Sequence, residues 1–467
     1  MPEVREEIFR EYDIRGKADE LDDNTVYFIG RAFGTIVLRN SGQEIVVGKD
    51  NRGSSDRIMR AFCRGVTESG CNVVSVGLVP IPALYFSIIH FGTDGGAMIT
   101  GSHLEKNFNG LKLSASKNAL TMYGEQIKGI RGIILKEDFE VGKGRIEDAH
   151  ILEDYVENIL KRVQINNAIG VVADCGNGCS SLVAEEIFEG SGCKTKLLFC
   201  KSDGNFPNHH PDPVEPENLS QLIKEVRKEK ADVGIAFDGD ADRIGAVDEK
   251  GNIIAGDYLL ALFAKDLLAR KKGAKVVFEV KCSQALPEII KANGGNPIMY
   301  RTGHSLIKKK MVEEDALLAG EMSGHMFFRE NYYGFDDAIY AALKLCEIVS
   351  NSGRPLSEII ADFPKYYITP EIRLSCEEKK KWSIVENVRK HFEKKYEVIG
   401  IDGARVLLKD GWFLVRASNT SAKLIVRAEA KNAKKLEEIT GLVYQKLVDF
   451  GLDKKEAEKI LENAHKV

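Results

Sequence analysis

Short apolar, β-branched runs alternate with stretches of helical periodicity through the first three quarters of the chain. Glu44–Gly48 reads as a strand, Ser55–Ser69 as a helix, and Val73–Val76 as a strand; Gly95–Ile99 is a further strand that runs straight into Thr100. The rhythm restarts with strand Gly170–Ala173, helix Ser180–Gly190, strand Lys194–Leu198, helix Glu217–Glu229 and strand Asp232–Phe237. It restarts again with helix Gly256–Arg270, strand Lys275–Phe278, helix Gln284–Asn293, strand Pro297–Tyr300, helix His304–Glu314 and strand Ala316–Ala319. Strands separated by helices predict crossover units in parallel or mixed sheets. From Tyr366 onward the pattern changes. Tyr366–Leu374, Arg405–Leu408, Trp412–Val415 and Lys423–Ala430 read as strands, with helices at Lys379–Lys395 and Lys434–Asp449.

The expected fold class is therefore α/β: three similar α/β domains with mixed sheets, plus a smaller C-terminal α+β domain. No residue-level repeat is visible among the three. Boundaries near Asp148, Lys250 and Phe363 divide the chain into 1–148, 149–250, 251–363 and 364–467. Asp203–Pro216, rich in Pro, Asn and His, reads as a loop of the second domain and not as a boundary.

Bulk properties narrow the function. At 467 residues the chain suits roughly three or four domains. Lys and Arg total 66 against 70 for Asp and Glu, so the basic excess of a nucleic-acid binder is missing. That balance leaves room for a local basic pocket around a small anion. No apolar run approaches the roughly 18 residues of a membrane helix. Met1–Arg10 is charged and lacks the apolar core of a signal peptide. The nine cysteines are scattered, none forms a Cys-x-x-Cys pair, and Cys175 and Cys179 are too isolated to suggest zinc. Reduced thiols in a cytoplasmic protein are the expectation.

Four loops carry candidate chemistry. Thr100-Gly101-Ser102-His103 follows an apolar strand, at the edge where open α/β sheets bind ligands, and Ser102 suits a nucleophile or phosphate carrier. Asp238-Gly239-Asp240-Ala241-Asp242-Arg243 ends another strand. Its three alternate carboxylates can converge on one hard cation, and Arg243 offers a fork to a phosphate oxygen. Gly320-Glu321-Met322-Ser323-Gly324-His325 pairs an acceptor and a donor for sugar hydroxyls, with a histidine that titrates near neutrality. Arg416-Ala417-Ser418-Asn419-Thr420 combines a guanidinium, two hydroxyls and an amide as a phosphate nest. Each alone also reads as an ordinary turn. Together, one serine, one metal, one polyol and one phosphate site point to phosphoryl transfer on a sugar.

At these residues the sequence resembles the α-D-phosphohexomutase family, in its phosphomannomutase/phosphoglucomutase branch. The likeness spans the whole chain and includes Phe9-Arg10-Glu11-Tyr12-Asp13-Ile14-Arg15-Gly16. It implies four domains around a central cleft. It further implies that Ser102 carries a phosphoryl group and that Asp238, Asp240 and Asp242 bind Mg²⁺, with the Ser102 phosphate completing the sphere. Arg15 and Arg243 would sit near that phosphate, and Glu321, Ser323 and His325 at the sugar. Arg416, Ser418, Asn419 and Thr420 would hold the non-reacting phosphate. Lys112, Lys281 and His304 match positions that assist proton transfer or phosphate contact, with Lys112 the first candidate for the base and His304 the second.

The implied reaction interconverts hexose 1- and 6-phosphates of mannose, glucose or both, through a phosphoserine and a hexose 1,6-bisphosphate that also activates the enzyme. Small hexose phosphates are the expected partners of a monomer or homodimer, with neither nucleic acid nor membrane involved. Met322 favours this branch over phosphoglucosamine mutases, where Gln is usual. Three departures stand out: Leu104-Glu105 replaces the usual Asn-Pro after Ser-His, Ala241 replaces a common Gly, and Ser421-Ala422 alters the phosphate loop. The first motivates an alternative reading, a sugar-phosphate-binding homologue without turnover. No Walker-type loop supports a kinase.

Overall fold

The computed structural model describes residues 4–418 and 421–464. Four sheets organise them. The first runs in the order Ile14–Lys17, Phe108–Ser114, Gly96–Ile99, Glu44–Lys49, Asn72–Leu78, Ile146–Asp148. The second runs Ile253–Ile254, Ile244–Asp248, Val233–Phe237, Gly170–Asp174, Lys194–Leu198. The third runs Asn296–Tyr300, Lys275–Glu279, Leu318–Gly320, Met326–Phe328. In each, parallel strands meet an antiparallel partner, so the sheets are mixed as expected. The fourth sheet is antiparallel throughout and packs against helices Glu378–Phe392 and Ala433–Asp449.

The antiparallel partners explain how the loops are held. Gly96–Ile99 returns as Phe108–Ser114, Val233–Phe237 as Ile244–Asp248, Leu318–Gly320 as Met326–Phe328, and Gly411–Ala417 as Lys423–Ala430. Every candidate loop is thus the tip of a β-hairpin, clamped by ladder hydrogen bonds on both sides. Sequence reading found the outgoing strands and missed the returns in the first three sheets. Ile244–Asp248 and Met326–Phe328 are buried throughout, so they lack the alternation that marks a half-exposed strand.

Three expectations need correction. Ser180–Gly190 is a 3₁₀ turn at Cys179–Leu182 followed by helix Ala184–Gly190, and the helix expected from Glu217 begins as a 3₁₀ turn at Pro216–Leu219. The strand expected over Tyr366–Leu374 is broken into Tyr367–Ile368 and Ile372–Ser375, because Pro370 between them has no N–H for the ladder.

One continuous apolar core threads the first three sheets and includes helices Ile81–Phe91, Gly256–Arg270 and Ala338–Ser352. Helix Ala338–Ser352 crosses to pack on Val233–Phe237 and Ile244–Asp248, which locks the third sheet's region onto the second. Asp337 starts it, accepting from the Tyr340 amide at 2.8 Å and from the buried hydroxyls of Tyr155 and Tyr332. The C-terminal sheet has its own core and docks through Trp412 and Leu414 against Val280. Polar bonds reinforce that seam. Arg405, fully buried over the Trp412 ring, donates to the Val280 and Cys282 carbonyls, and Arg427 donates to the carbonyl of Lys281. Three successive carbonyls around Lys281 are thereby fixed by the C-terminal domain. No helix among the described residues is long and apolar enough to cross a membrane.

Candidate active site

The serine loop and the carboxylate loop meet directly. Ser102 is buried at the turn of its hairpin with φ +47°, a left-handed conformation that costs a non-glycine residue about 1–2 kcal/mol. Its Oγ donates to Asp238 Oδ2 at 2.7 Å and lies 3.3 Å from His103 Nδ1. Its amide donates to Thr100 Oγ1, which in turn donates to Asp240 Oδ2 at 2.9 Å. Burial, together with Arg243 and Arg15, holds His103 well below the usual imidazole range, so it is neutral.

Asp238, Asp240 and Asp242 are fully buried, and each presents an oxygen within 4.8 Å of the others. Asp238 Oδ1 accepts the amides of Asp242 and Arg243, which fixes the turn. Lys112 donates to Asp240 Oδ2 at 3.0 Å and Asp242 Oδ2 at 2.6 Å. Asp240 Oδ1 and Asp242 Oδ1 are buried with no hydrogen-bond partner among the described residues. Burial and the charges of Asp242 and Asp240 push the Asp238 carboxyl well up. Crowded negative charge with unmatched oxygens fits a hard divalent cation, which offsets that repulsion. Ala241 takes φ +67°, so the replacement of a common glycine does fall where glycine is favoured.

The sugar loop joins through main chain. Ile244 donates its amide to the Gly324 carbonyl, and Arg243 bridges to His325. Gly324, at φ +92°, packs so tightly on the Ile244 backbone that a Cβ would not fit. Glu321 is buried and accepts from the Gly303 amide at 2.7 Å, which ties it to the turn that presents His304. Met322 meets the C-terminal domain: its sulfur accepts from Arg427 and its amide donates to Glu279. Ser323 is half-buried beside it.

Behind the loop stands an acid that sequence reading missed. Asp336 lies 3.1 Å from His325 Nδ1, 3.4 Å from His304 Nδ1 and 3.0 Å from Lys308. The two imidazoles stack at 5.3 Å. Arg243 Nε donates to His325 Nε2 at 3.0 Å, which assigns the Nδ1 proton to the Asp336 side. Burial opposes charging of His325, but Asp242 and Asp336 outweigh it and its pKa lies above the usual value. Burial wins at His304, whose pKa lies below.

A cleft of about 410 Å³ reaches the serine loop at His103 and Leu104. Arg10, Arg15, Lys281, Arg373, Arg416 and Lys423 line it with His103 and Ser418, against only Glu20 and Glu371 in the opposite sense. Such a cation excess concentrates anions. Arg416 pairs with Asp402 at 3.0 Å, and its Nε is buried with no hydrogen-bond partner among the described residues. Lys281 donates to Glu371 at 3.0 Å. Lys112 does not reach this cleft; it lies beneath the carboxylates, where Asp240 and Asp242 outweigh burial and hold it charged. Asn419 and Thr420 lie outside the described residues. The ends of their loop are held by Lys381, which is buried and donates to the carbonyls of Ser418 and Ser421.

Known proteins resemble this chain over nearly its whole length. Four profiles match in order: phosphoglucomutase/phosphomannomutase alpha/beta/alpha domain I over residues 6–141, domain II over 153–251, domain III over 255–367, and the C-terminal domain over 371–445. Over 440 residues the chain is 44% identical to the phosphomannomutase/phosphoglucomutase of Pseudomonas aeruginosa, covering 94% of this chain and 95% of that protein. The chain belongs to the phosphoglucomutase/phosphomannomutase family. It is also 42% identical to the phosphoglucomutase of Neisseria gonorrhoeae, covering 94% of this chain and 96% of that one. The crystal structure of a phosphoglucomutase/phosphomannomutase family protein from Burkholderia thailandensis superposes with a TM-score of 0.91 at 38% identity, covering 97% and 99% of the two chains.

Within this family architecture Glu321 is costly to bury. Burial, with the negative charge of Glu279 behind it, raises its carboxyl from 4.5 to about 7. Below pH 4.5 the side chain is protonated whether folded or unfolded and costs nothing. As pH rises to about 7 the unfolded chain ionises first, so stability falls, and above 7 the whole cost is present. Glu321→Gln keeps the acceptor for Gly303 and removes the charge. It is expected to raise the melting temperature above pH 7, by a stabilisation on the order of 2–3 kcal/mol, and to leave it unchanged near pH 4.5. Melting curves across pH check this; an equal shift at both ends would contradict it.

Proposed function

We propose that this chain interconverts the 1- and 6-phosphates of mannose and glucose, with Ser102 carrying the phosphoryl group. The observation that carries the reading is the bond from Ser102 Oγ to Asp238, inside a buried triad of carboxylates and beside a cleft lined by cations. Asp238, Asp240 and Asp242 would hold Mg²⁺, with Ser102 Oγ next to them. The ion would supply charge neutralisation to the transferring phosphoryl oxygens.

In the forward step the bond from phosphorus to Ser102 Oγ breaks and a bond to the free sugar oxygen forms, while the hydroxyl proton passes to a protein base. Of the two candidate bases, His304 is the better prepared: it is neutral, whereas Lys112 is held charged by Asp240 and Asp242. Arg243 and Arg15 offset charge on the transferring group. The resulting hexose 1,6-bisphosphate turns over and returns its other phosphoryl to Ser102, which makes the same compound an activator of the unphosphorylated enzyme. Arg416 and Ser418, with Lys281, suit the phosphate that is not reacting, since they address phosphate and not a particular sugar carbon. Glu321 and Ser323 suit the sugar hydroxyls. These sites lie on the serine, metal, sugar and phosphate hairpins of four domains, with 1–148, 149–250, 251–363 and 364–467 as the divisions proposed here.

Two features of the Leu104-Glu105 segment support a loop able to act. Glu105 is exposed, and its carbonyl accepts from Arg52. The test is a side-by-side assay of mannose 1-phosphate, glucose 1-phosphate and glucosamine 1-phosphate. Comparable turnover of the first two with little of the third is expected. A preference for the amino sugar would make the chain a phosphoglucosamine mutase, and no turnover of any would leave a binding protein.

A further inference from the structure

Arginine has five N–H donors in a rigid plane, and a buried arginine needs a partner for each. Arg52 is 2% exposed and meets that demand with four carbonyls of the Ser102 loop and the carboxylate of Asp50. Nη2 donates to the Ser102 and Leu104 carbonyls, each at 2.7 Å. Nη1 donates to the carbonyls of Glu105 at 2.6 Å and Phe108 at 3.1 Å. Nε donates to Asp50 Oδ2 at 3.1 Å, and the same carboxylate oxygen accepts the Gly101 amide. A Cβ at Gly101 would stand 2.5 Å from the guanidinium carbon, so any larger residue there would push the guanidinium off its acceptors. Phe206 of the second domain closes the far face of the guanidinium at 5.1 Å.

The consequence is specific to Ser102. Its amide is fixed by Thr100 and its carbonyl by Arg52, so both peptide planes beside the left-handed Cα are held, and the direction of Oγ toward Asp238 follows. Leu104 and Glu105 cannot stiffen the hairpin tip from within as a proline would. The stiffness comes from outside, through four carbonyls gripped by one cation. No donor of Arg52 remains for a phosphate.

We propose that Arg52, with Asp50 behind it, is a positioning residue that sets the geometry of the Ser102 loop for phosphoryl transfer. The proposal rests on the mutase reading given above. Because a misplacement of about 1 Å can cost on the order of 10²-fold in rate, Arg52→Ala is expected to lower kcat by about that factor. KM for glucose 1-phosphate should stay within about twofold, since the substrate-holding loops are untouched. Guanidinium chloride at non-denaturing concentration should restore part of kcat to Arg52→Ala, by refilling the space between the five acceptors, and should restore nothing to Ser102→Ala. Arg52→Lys, which keeps charge and stem but loses the fork, should fall between wild type and Arg52→Ala and covers the case in which the alanine variant does not fold.

One readout needs no activity. Lys106 is exposed at the tip of the gripped loop. Trypsin should therefore cut after Lys106 faster in both variants than in wild type, while cleavage elsewhere keeps its rate. If folded variants keep wild-type kcat and wild-type cleavage at Lys106, the proposal is wrong. If wild type itself fails to turn over any hexose phosphate, the mutase reading fails, and the Lys106 cleavage rate still decides whether Arg52 orders the loop.

Discussion

Ser102→Ala is expected to lose turnover by at least about three orders of magnitude while still binding hexose phosphates and melting near the wild-type temperature. The change removes a single atom. Ser102 Oγ makes one hydrogen bond to a protein oxygen, a carboxylate of Asp238, and a bond of that kind contributes about 1.5–3 kcal/mol net, a small shift in the melting of a chain this long. Thr100 and Arg52 hold the main chain on either side and do not depend on Oγ. The cations of the cleft, Arg15, Lys281 and Arg416 among them, are likewise untouched. Loss should fall on kcat and not on the affinity for glucose 1-phosphate measured by calorimetry. A variant that retained a tenth of the activity would mean that the phosphoryl group travels by another route.

Asp238→Asn is the second substitution of large effect, and its signature is a reversal between activity and stability. In the absence of a cation, three buried carboxylates repel one another, with two oxygens unmatched. Asn at 238 can still accept the amides of Asp242 and Arg243 through its oxygen, while its NH₂ turns toward Ser102. The metal-free variant should therefore melt above metal-free wild type. Adding Mg²⁺ at about 100 times its Kd should stabilise wild type by about 2.7 kcal/mol and the variant by far less. Turnover should drop by at least about 10²-fold, because charge on the transferring oxygens is no longer neutralised. Equal stabilisation of both proteins by Mg²⁺ would remove the triad from the account.

Which features were legible in the sequence follows from where charge ends up. The four loops could be read because each gathers polar groups at the end of an apolar strand, and a strand that stops at Asp-Gly-Asp or Thr-Gly-Ser leaves a visible edge. Their supports could not. Lys381 sits in the run Glu377-Glu378-Lys379-Lys380-Lys381, which looks like a solvated helix face, yet it is 1% exposed and holds the phosphate loop. Arg52 is followed by Gly53-Ser54-Ser55 and reads as part of a turn. Asp336 and Asp337 look like a helix start; Asp337 is the cap, and Asp336 faces two histidines and a lysine from distant segments. Each role exists only through partners brought in by tertiary structure, and the side chain alone carries no mark of them. The same holds for backbone conformation. The positive φ at Ser102 and Ala241 is imposed by hairpin closure on residues that do not favour it.

Lys112, which the resemblance makes the first candidate for the base, lies between Asp240 and Asp242 and donates to both. Their charges outweigh burial and raise its pKa, whereas burial lowers that of His304, which favours His304 as the base in the reaction proposed here.

The mechanism proposed for this chain rests on Ser102 as the carrier of the phosphoryl group. Its most direct test is the intact mass of the purified protein before and after incubation with glucose 1,6-bisphosphate and Mg²⁺, with the modified residue mapped by peptide sequencing. The account predicts a gain of one phosphoryl group at Ser102, absent from Ser102→Ala and discharged by glucose 1-phosphate. A protein that turns over hexose phosphates with no label, or with the label on another residue, would contradict it.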